Sequence, residues 1–271
     1  MTGASTLTLG SGLTLSYLEQ GERSGPTLVL LPGPTDSSLS YKPVLDLISP
    51  KIRTIAVSQR GHGDSDKPLS GYRVENFATD LVELLDVLKI ERAVLVGHSG
   101  SCFTARRMAI DQPDRIAGLV LESSPTTLRE EADLKRFVRS VVSNLTDPID
   151  TDFVRSFTID TSSGEIGPEF LDEMIDEQIK VPAHVWREMF AELIHYDDID
   201  ELGRIVAPTL LIWGDADGVV GREMQEVLQK QIARSELVTY PGAGHTPRWE
   251  DPSRFASDVT AFVRRCFPPQ P

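Results

Sequence analysis

Short apolar runs, each five or six residues long and rich in Val, Leu and Ile, recur at 27–31, 53–58, 93–97, 117–122, 209–214 and 236–240. A run that short and that continuously apolar buries both of its faces, which a strand does inside a sheet covered on two sides. The segment 74–88 between two of the runs carries Phe77, Leu81, Leu84, Leu85 and Leu88 at spacings of three and four, the apolar stripe of a helix. Strand and helix in alternation predict an α/β fold with a mainly parallel central sheet and helices on both faces. Leu7, Leu9, Leu13 and Leu15 alternate around Gly10-Ser11-Gly12 instead, and read as an antiparallel hairpin at the N-terminal edge.

The alternation stops between Pro125 and Pro208, where the pattern is helical and acidic at 128–145, 169–179 and 185–194. A helical cap at 125–205, inserted into a core formed by 1–124 and 206–271, is the expected organisation. Its apolar stripes, Phe137, Val138, Val141 and Val142 in one segment and Trp186, Met189, Phe190 and Leu193 in another, bury against one another or over the open end of the sheet. Residues 161–164 read as a short polar loop.

Composition removes several function classes. With 27 basic and 41 acidic side chains the net charge is −14, so the surface repels phosphate backbones and anionic lipid, and no nucleic-acid partner is expected. The two cysteines, Cys102 and Cys266, lie in no Cys-x-x-Cys or His-rich spacing. A reduced chain without metal or cofactor is the expectation. Residues 1–25 show no basic region followed by an apolar one, and no stretch approaches the roughly 18 apolar residues of a membrane span, so a cytoplasmic protein without a membrane span is expected. Oligomeric state is left open.

The run 93–97 leads directly into His98-Ser99-Gly100-Ser101 and the helical pattern 102–111, which places Ser99 on a sharp strand-to-helix turn. Small residues flank it, as a strained turn packed close to its neighbours requires: Gly97, Gly100 and Ser101, the last a serine where glycine is commoner. A serine hydroxyl attacks only when a histidine takes its proton, and that histidine needs a carboxylate to fix its tautomer. Of His62, His98, His184, His195 and His245, the last lies in the glycine-rich stretch Pro241-Gly242-Ala243-Gly244-His245, after the final strand and before the final helix. It is the expected base. Run 209–214 ends in Asp215-Ala216-Asp217-Gly218, and Asp217, further into the loop, is expected to face His245 while Asp215 bonds turn backbone. The order Ser99, Asp217, His245 is the one that accompanies such an elbow on a parallel sheet.

With Leu30-Leu31-Pro32-Gly33, Arg60-Gly61-His62-Gly63-Asp64-Ser65, Trp213-Gly214-Asp215-Ala216-Asp217 and Trp249-Glu250-Asp251-Pro252 added to the motifs around Ser99 and His245, the chain resembles the alpha/beta hydrolase superfamily through nearly its whole length. The resemblance implies Ser99 as nucleophile, His245 as base, Asp217 as acid, and an oxyanion hole built from Gly100 and the residue at position 34. That residue is Pro34, which has no N–H to give. Displacement of the loop so that Thr35 substitutes, through its N–H or hydroxyl, is the expectation carried forward. A serine rather than an aspartate at the elbow implies acyl transfer, with a small-molecule carboxylic ester or lactone as substrate and an apolar pocket formed by Phe103, Trp186, Met189 and Phe190. Carbon–carbon bond hydrolysis and perhydrolysis use the same three residues. A ligand-sensing protein with a near-silent triad is the alternative from another class.

Overall fold

The structure, a computed structural model, describes residues 4–160 and 166–268, so the polar stretch 161–164 lies outside the described residues. Eight strands, β1 (Ser5–Thr8), β2 (Thr14–Gln20), β3 (Thr27–Leu31), β4 (Arg53–Ser58), β5 (Ala93–His98), β6 (Ile116–Glu122), β7 (Thr209–Gly214) and β8 (Ser235–Tyr240), form one sheet in the order β1-β2-β4-β3-β5-β6-β7-β8. β1 pairs antiparallel with β2 and β2 with β4, and the remaining neighbours are parallel. The N-terminal hairpin is therefore where the leucine alternation put it, with Leu7 opposite Leu15.

Every residue of β3 to β7 is buried, which is why these strands are apolar without a break. Successive side chains still go to opposite faces: Leu28 and Leu30 join the core on one side of the sheet, Val29 and Leu31 the core on the other. β8 closes the parallel edge and is half exposed along most of its length.

The longer helices are α1 (Val74–Val87), α2 (Ser101–Asp111), α3 (Ala132–Ser140), α4 (Thr151–Ile159), α5 (Pro168–Gln178), α6 (Ala183–Leu193), α7 (Arg222–Gln231) and α8 (Pro252–Cys266). Leu81 and Leu84 of α1, Met108 of α2 and Leu228 of α7 cover one face of the sheet, while Phe255, Val259 and Phe262 of α8 cover the other. Among the described residues no helix is long and apolar enough to cross a membrane.

Helices α3 to α6 stand between β6 and β7. The first is shorter than the pattern 128–145 suggested, because the helix starts at Ala132 and gives way after Ser140 to a single tight turn at Val142–Asn144. Helix α4 was not expected from the sequence. Val154, Ile175, Val185 and Trp186 of this segment share a core with Tyr72, Val74, Phe77 and Phe103 from the sheet side, so its apolar stripes bury both on one another and on the rest of the fold. Arg106 of α2, fully buried, ties the two ends of the segment together: its guanidinium donates to Pro125 O (2.8 Å), Thr126 O (3.1 Å) and the Asp198 carboxylate (2.6 and 3.1 Å). The pair is dry on both sides, and removing either partner would leave an uncompensated buried charge.

Candidate active site

Ser99 sits at the carboxyl end of β5 with φ +53°, in the left-handed region that costs a non-glycine residue strain. Its N–H donates to Glu122 O on β6 (2.9 Å), and its own carbonyl accepts the Cys102 N–H at the start of α2 (3.0 Å). The turn this tight brings α2 onto the strand: a Cβ at Gly97 would lie 2.8 Å from Ser101 O and 2.9 Å from Cys102 Cα, so only glycine fits there.

The Ser99 hydroxyl donates to His245 Nε2 (2.9 Å), and His245 Nδ1–H donates to Asp217 Oδ2 (2.9 Å). Asp217 is held in turn by the backbone N–H groups of Val219 (2.8 Å) and Val220 (2.9 Å), both on its other oxygen. Asp215 does bond backbone, but across the loops: it accepts the Gly242 N–H (2.6 Å) and so braces the stretch that carries His245. The three side chains chosen from the sequence thus meet in one hydrogen-bonded line, brought together from the ends of β5, β7 and β8.

His98, next to the serine, borders the same cavity as Ser99 and reaches over to donate its Nε2–H to the His245 carbonyl (2.9 Å). Burial, helped by the nearby charge of Arg248, holds it well below the ordinary histidine range, so it stays neutral. Just beyond His245, the fully buried Arg248 bonds Glu122 through its backbone N–H (2.9 Å) and guanidinium (3.3 Å), and Asp36 through Nη2 (2.9 Å). Desolvation pushes both carboxyls up despite the arginine. This knot fastens the His245 loop to β6 and to the loop after β3.

A cavity of about 520 Å³ opens over Ser99. Phe137, Phe153, Phe157 and Phe190 form one wall, and Asp36, Thr158 and Gln178 lie on another. Of the four side chains expected in the pocket, Phe190 is there and the other three are not. Phe103 is fully buried on α2 between the Tyr196 ring (5.2 Å) and the Arg106 guanidinium (4.7 Å). Trp186 forms a layer behind the wall, 5.1 Å from Phe157 and stacked on Phe190 at 5.6 Å. Met189 faces a separate small void with His62, behind Gly100 and Pro34. Phe153 and Phe157 take their place because α4, unforeseen, presents one face to the cavity. His184 also stays outside, with Nε2 against Pro68 O (3.0 Å).

Gly33, Pro34 and Gly100 line the cavity beside Ser99. Thr35 does not: it is fully buried, adopts φ 73°, and its hydroxyl has no hydrogen-bond partner. The Thr35 side chain is therefore not presented to the cavity, and Ser101 and Gln59 hold the loop beside it. Ser101 Oγ donates to Pro32 O (2.6 Å), and Gln59 Nε2 donates to Ser101 Oγ (2.8 Å) and to Pro32 O (3.2 Å). The serine that stands in the glycine's place is thus a clamp as well as a small residue.

Residues 26–252 match the family described as the alpha/beta hydrolase fold. The chain belongs to this family. Among its members the chain is 28% identical to a non-heme chloroperoxidase of Streptomyces lividans, over 96% of this chain and 99% of that protein. It is 26% identical to the 2-(acetamidomethylene)succinate hydrolase of Mesorhizobium japonicum, over 93% of this chain and 92% of the relative. A solved esterase from a Rhodococcus species superposes with a TM-score of 0.81 at 25% identity, covering 96% of this chain and 98% of that one. Membership in this family makes the chain an alpha/beta hydrolase.

Proposed function

We propose that this hydrolase cleaves uncharged carboxylic esters or lactones through an acyl-enzyme on Ser99. The observation that carries the reading is the unbroken line from Ser99 Oγ through His245 to Asp217, opening on the cavity. His245 takes the hydroxyl proton as Ser99 Oγ adds to the substrate carbonyl, and returns it to the departing alcohol oxygen. Water then adds to the acyl-enzyme, its proton passing to His245 and back to Ser99 as the acid leaves. The segment 125–205 acts as a cap, its phenylalanines holding the acyl chain.

The cavity also supports the choice of charge. Among the described residues that line it there is no Lys or Arg, while Asp36 and Asp160 are present. A substrate that keeps a carboxylate, as the name of the succinate hydrolase implies for that protein, would find no cationic partner here. Neutral acyl groups of modest size fit better.

The test is intact mass and peptide mapping after treatment with a small fluorophosphonate, followed by a panel of esters, lactones, diketones and peracid formation. One adduct on Ser99, absent in His245→Ala, with turnover of neutral esters, is the expected result. A folded protein that gives neither adduct nor turnover would overturn the reading in favour of a binding protein.

A further inference from the structure

We infer that the site is built for activated acyl donors, namely aryl, enol and thioesters and strained lactones, and that its acyl-enzyme accumulates. The inference rests on the serine-hydrolase reading above. Two backbone N–H groups ordinarily hold the oxyanion on this architecture, one from the residue after the nucleophile and one from the loop following the strand that is β3 here. Gly100 supplies the first. The cavity-lining residue of the β3 loop beside it is Pro34, whose nitrogen carries no hydrogen. The two are in direct contact, since a Cβ at Gly100 would lie 2.9 Å from Pro34 Cγ.

The loop is fastened on both sides of Pro34. Pro32 O is held by Ser101 and Gln59. Gly33 O accepts the Asp36 N–H (3.1 Å), closing a tight turn with Pro34 second and Thr35, at φ 73°, third. The Asp36 carboxylate accepts from Ser40 Oγ (2.9 Å), Gln178 Nε2 (2.7 Å) and Arg248. Trp249 Nε1, also at the cavity, is committed to Ser40 O (2.7 Å). Of the two positions that ordinarily donate, Gly100 keeps its N–H and Pro34 has none.

Loss of one such donor lowers turnover by about 10²- to 10³-fold in other serine hydrolases. An aryl or enol leaving group compensates during acylation, because its electron withdrawal makes the carbonyl more electrophilic and the addition transition state earlier, with less charge on the carbonyl oxygen. Deacylation has no such help: the leaving group is then always the Ser99 alkoxide, reprotonated by His245, whatever the donor was. Acylation is therefore selective for the leaving group, and the second step is slow for every ester of a given acid.

Stopped-flow and steady-state kinetics on butyrate esters of p-nitrophenol, phenol, trifluoroethanol and ethanol test this. In the wild type we expect a burst of one product per Ser99, kcat shared by the activated esters, and kcat/KM falling steeply with leaving-group basicity. Pro34→Ala, which restores an N–H, is expected to raise kcat about 10- to 100-fold and flatten that dependence. Thr35→Val is expected to stay within about twofold of wild type. Ethyl and p-nitrophenyl esters turned over at similar rates without a burst would overturn the inference while the fluorophosphonate adduct leaves the serine-hydrolase reading standing. A tenfold or greater loss in Thr35→Val would overturn it too, by making the Thr35 hydroxyl the second donor. Neither adduct nor turnover would remove both. The wild-type series stands by itself should Pro34→Ala fail to fold.

Discussion

His62 gives a stability prediction whose size follows from its burial. The imidazole is 1% exposed, donates Nδ1–H to Arg60 O (2.8 Å), and has no partner at Nε2. Desolvation lowers its pKa from 6.5 to about 4, outweighing the help of the Arg60 carbonyl. In the unfolded chain the same ring takes a proton near its ordinary value. Between pH 6.5 and pH 4 the unfolded state therefore binds a proton that the folded state refuses, and folding loses stability as the pH falls. The interval of about 2.5 pH units, at about 1.36 kcal/mol each, makes the loss about 3 kcal/mol by pH 4, with the full contribution present above pH 6.5. Buried Asp36, Asp80, Glu122 and Asp198 carry raised pKa values and act with the opposite sign, so the wild-type curve alone does not isolate the histidine. The comparison that does is with His62→Gln, which keeps a donor for Arg60 O and does not titrate. Urea unfolding of both proteins at pH 7, 6, 5 and 4 should show the wild type losing about 3 kcal/mol relative to the variant across the series. Parallel curves would mean that His62 protonates in the folded state, and the reasoning from burial would fail.

Three further outcomes are expected. Asp217→Asn should lower kcat by about 10⁴-fold with the fold intact by circular dichroism, because the amide favours the wrong His245 tautomer, whereas Asp215→Asn should act mainly on stability by loosening Gly242; comparable kcat losses in both would refute the assignment of the acid. His98→Leu leaves the buried His245 carbonyl without its donor and should cost about 1 to 3 kcal/mol in thermal or urea unfolding together with a fall in kcat, while His98→Gln, which can still donate, should retain most of both. Trp186→Ala should cost about 3 to 5 kcal/mol in stability, yet Phe157→Ala, which acts directly on the cavity wall, should change KM for a butyrate ester more than Trp186→Ala does.

The sheet and the triad were legible for the same reason: each depends on what one short stretch of chain does at the end of a strand. A run such as 93–97 is apolar on both faces because both faces are covered, and the glycines and serines after it mark a turn with no room for larger side chains. The lining of the cavity depended instead on rotation about helix axes. Trp186, Met189, Phe190 and Leu193 form a single stripe on α6, and hydrophobicity says that all four are buried without saying against what. In the fold, Phe190 and Leu193 meet the cavity, Trp186 backs the phenylalanines of α4, and Met189 turns to the void beside His62. Helix α4 itself offers Phe153, Val154, Phe157 and Ile159 as its apolar residues, too little to mark a helix before its neighbours are known.

Charge and polarity misled in a second way, because desolvated polar groups find partners far along the chain. Arg106, a charged residue in the helix after the elbow, is fully buried because Asp198, 92 residues on, meets it there. Ser101 reads as a tolerated substitute for glycine, and its hydroxyl instead fixes Pro32 O, 69 residues back. That second case bears directly on function. The departure visible in the sequence, a proline where a donor is usual, invited the idea that the loop shifts to repair it. Ser101 and Gln59 hold the loop where it is, and Pro34 then fixes its own φ. A loop so constrained gives up adaptability at the oxyanion position, and the chemistry that suffers least from that loss is the transfer of acyl groups that arrive already activated.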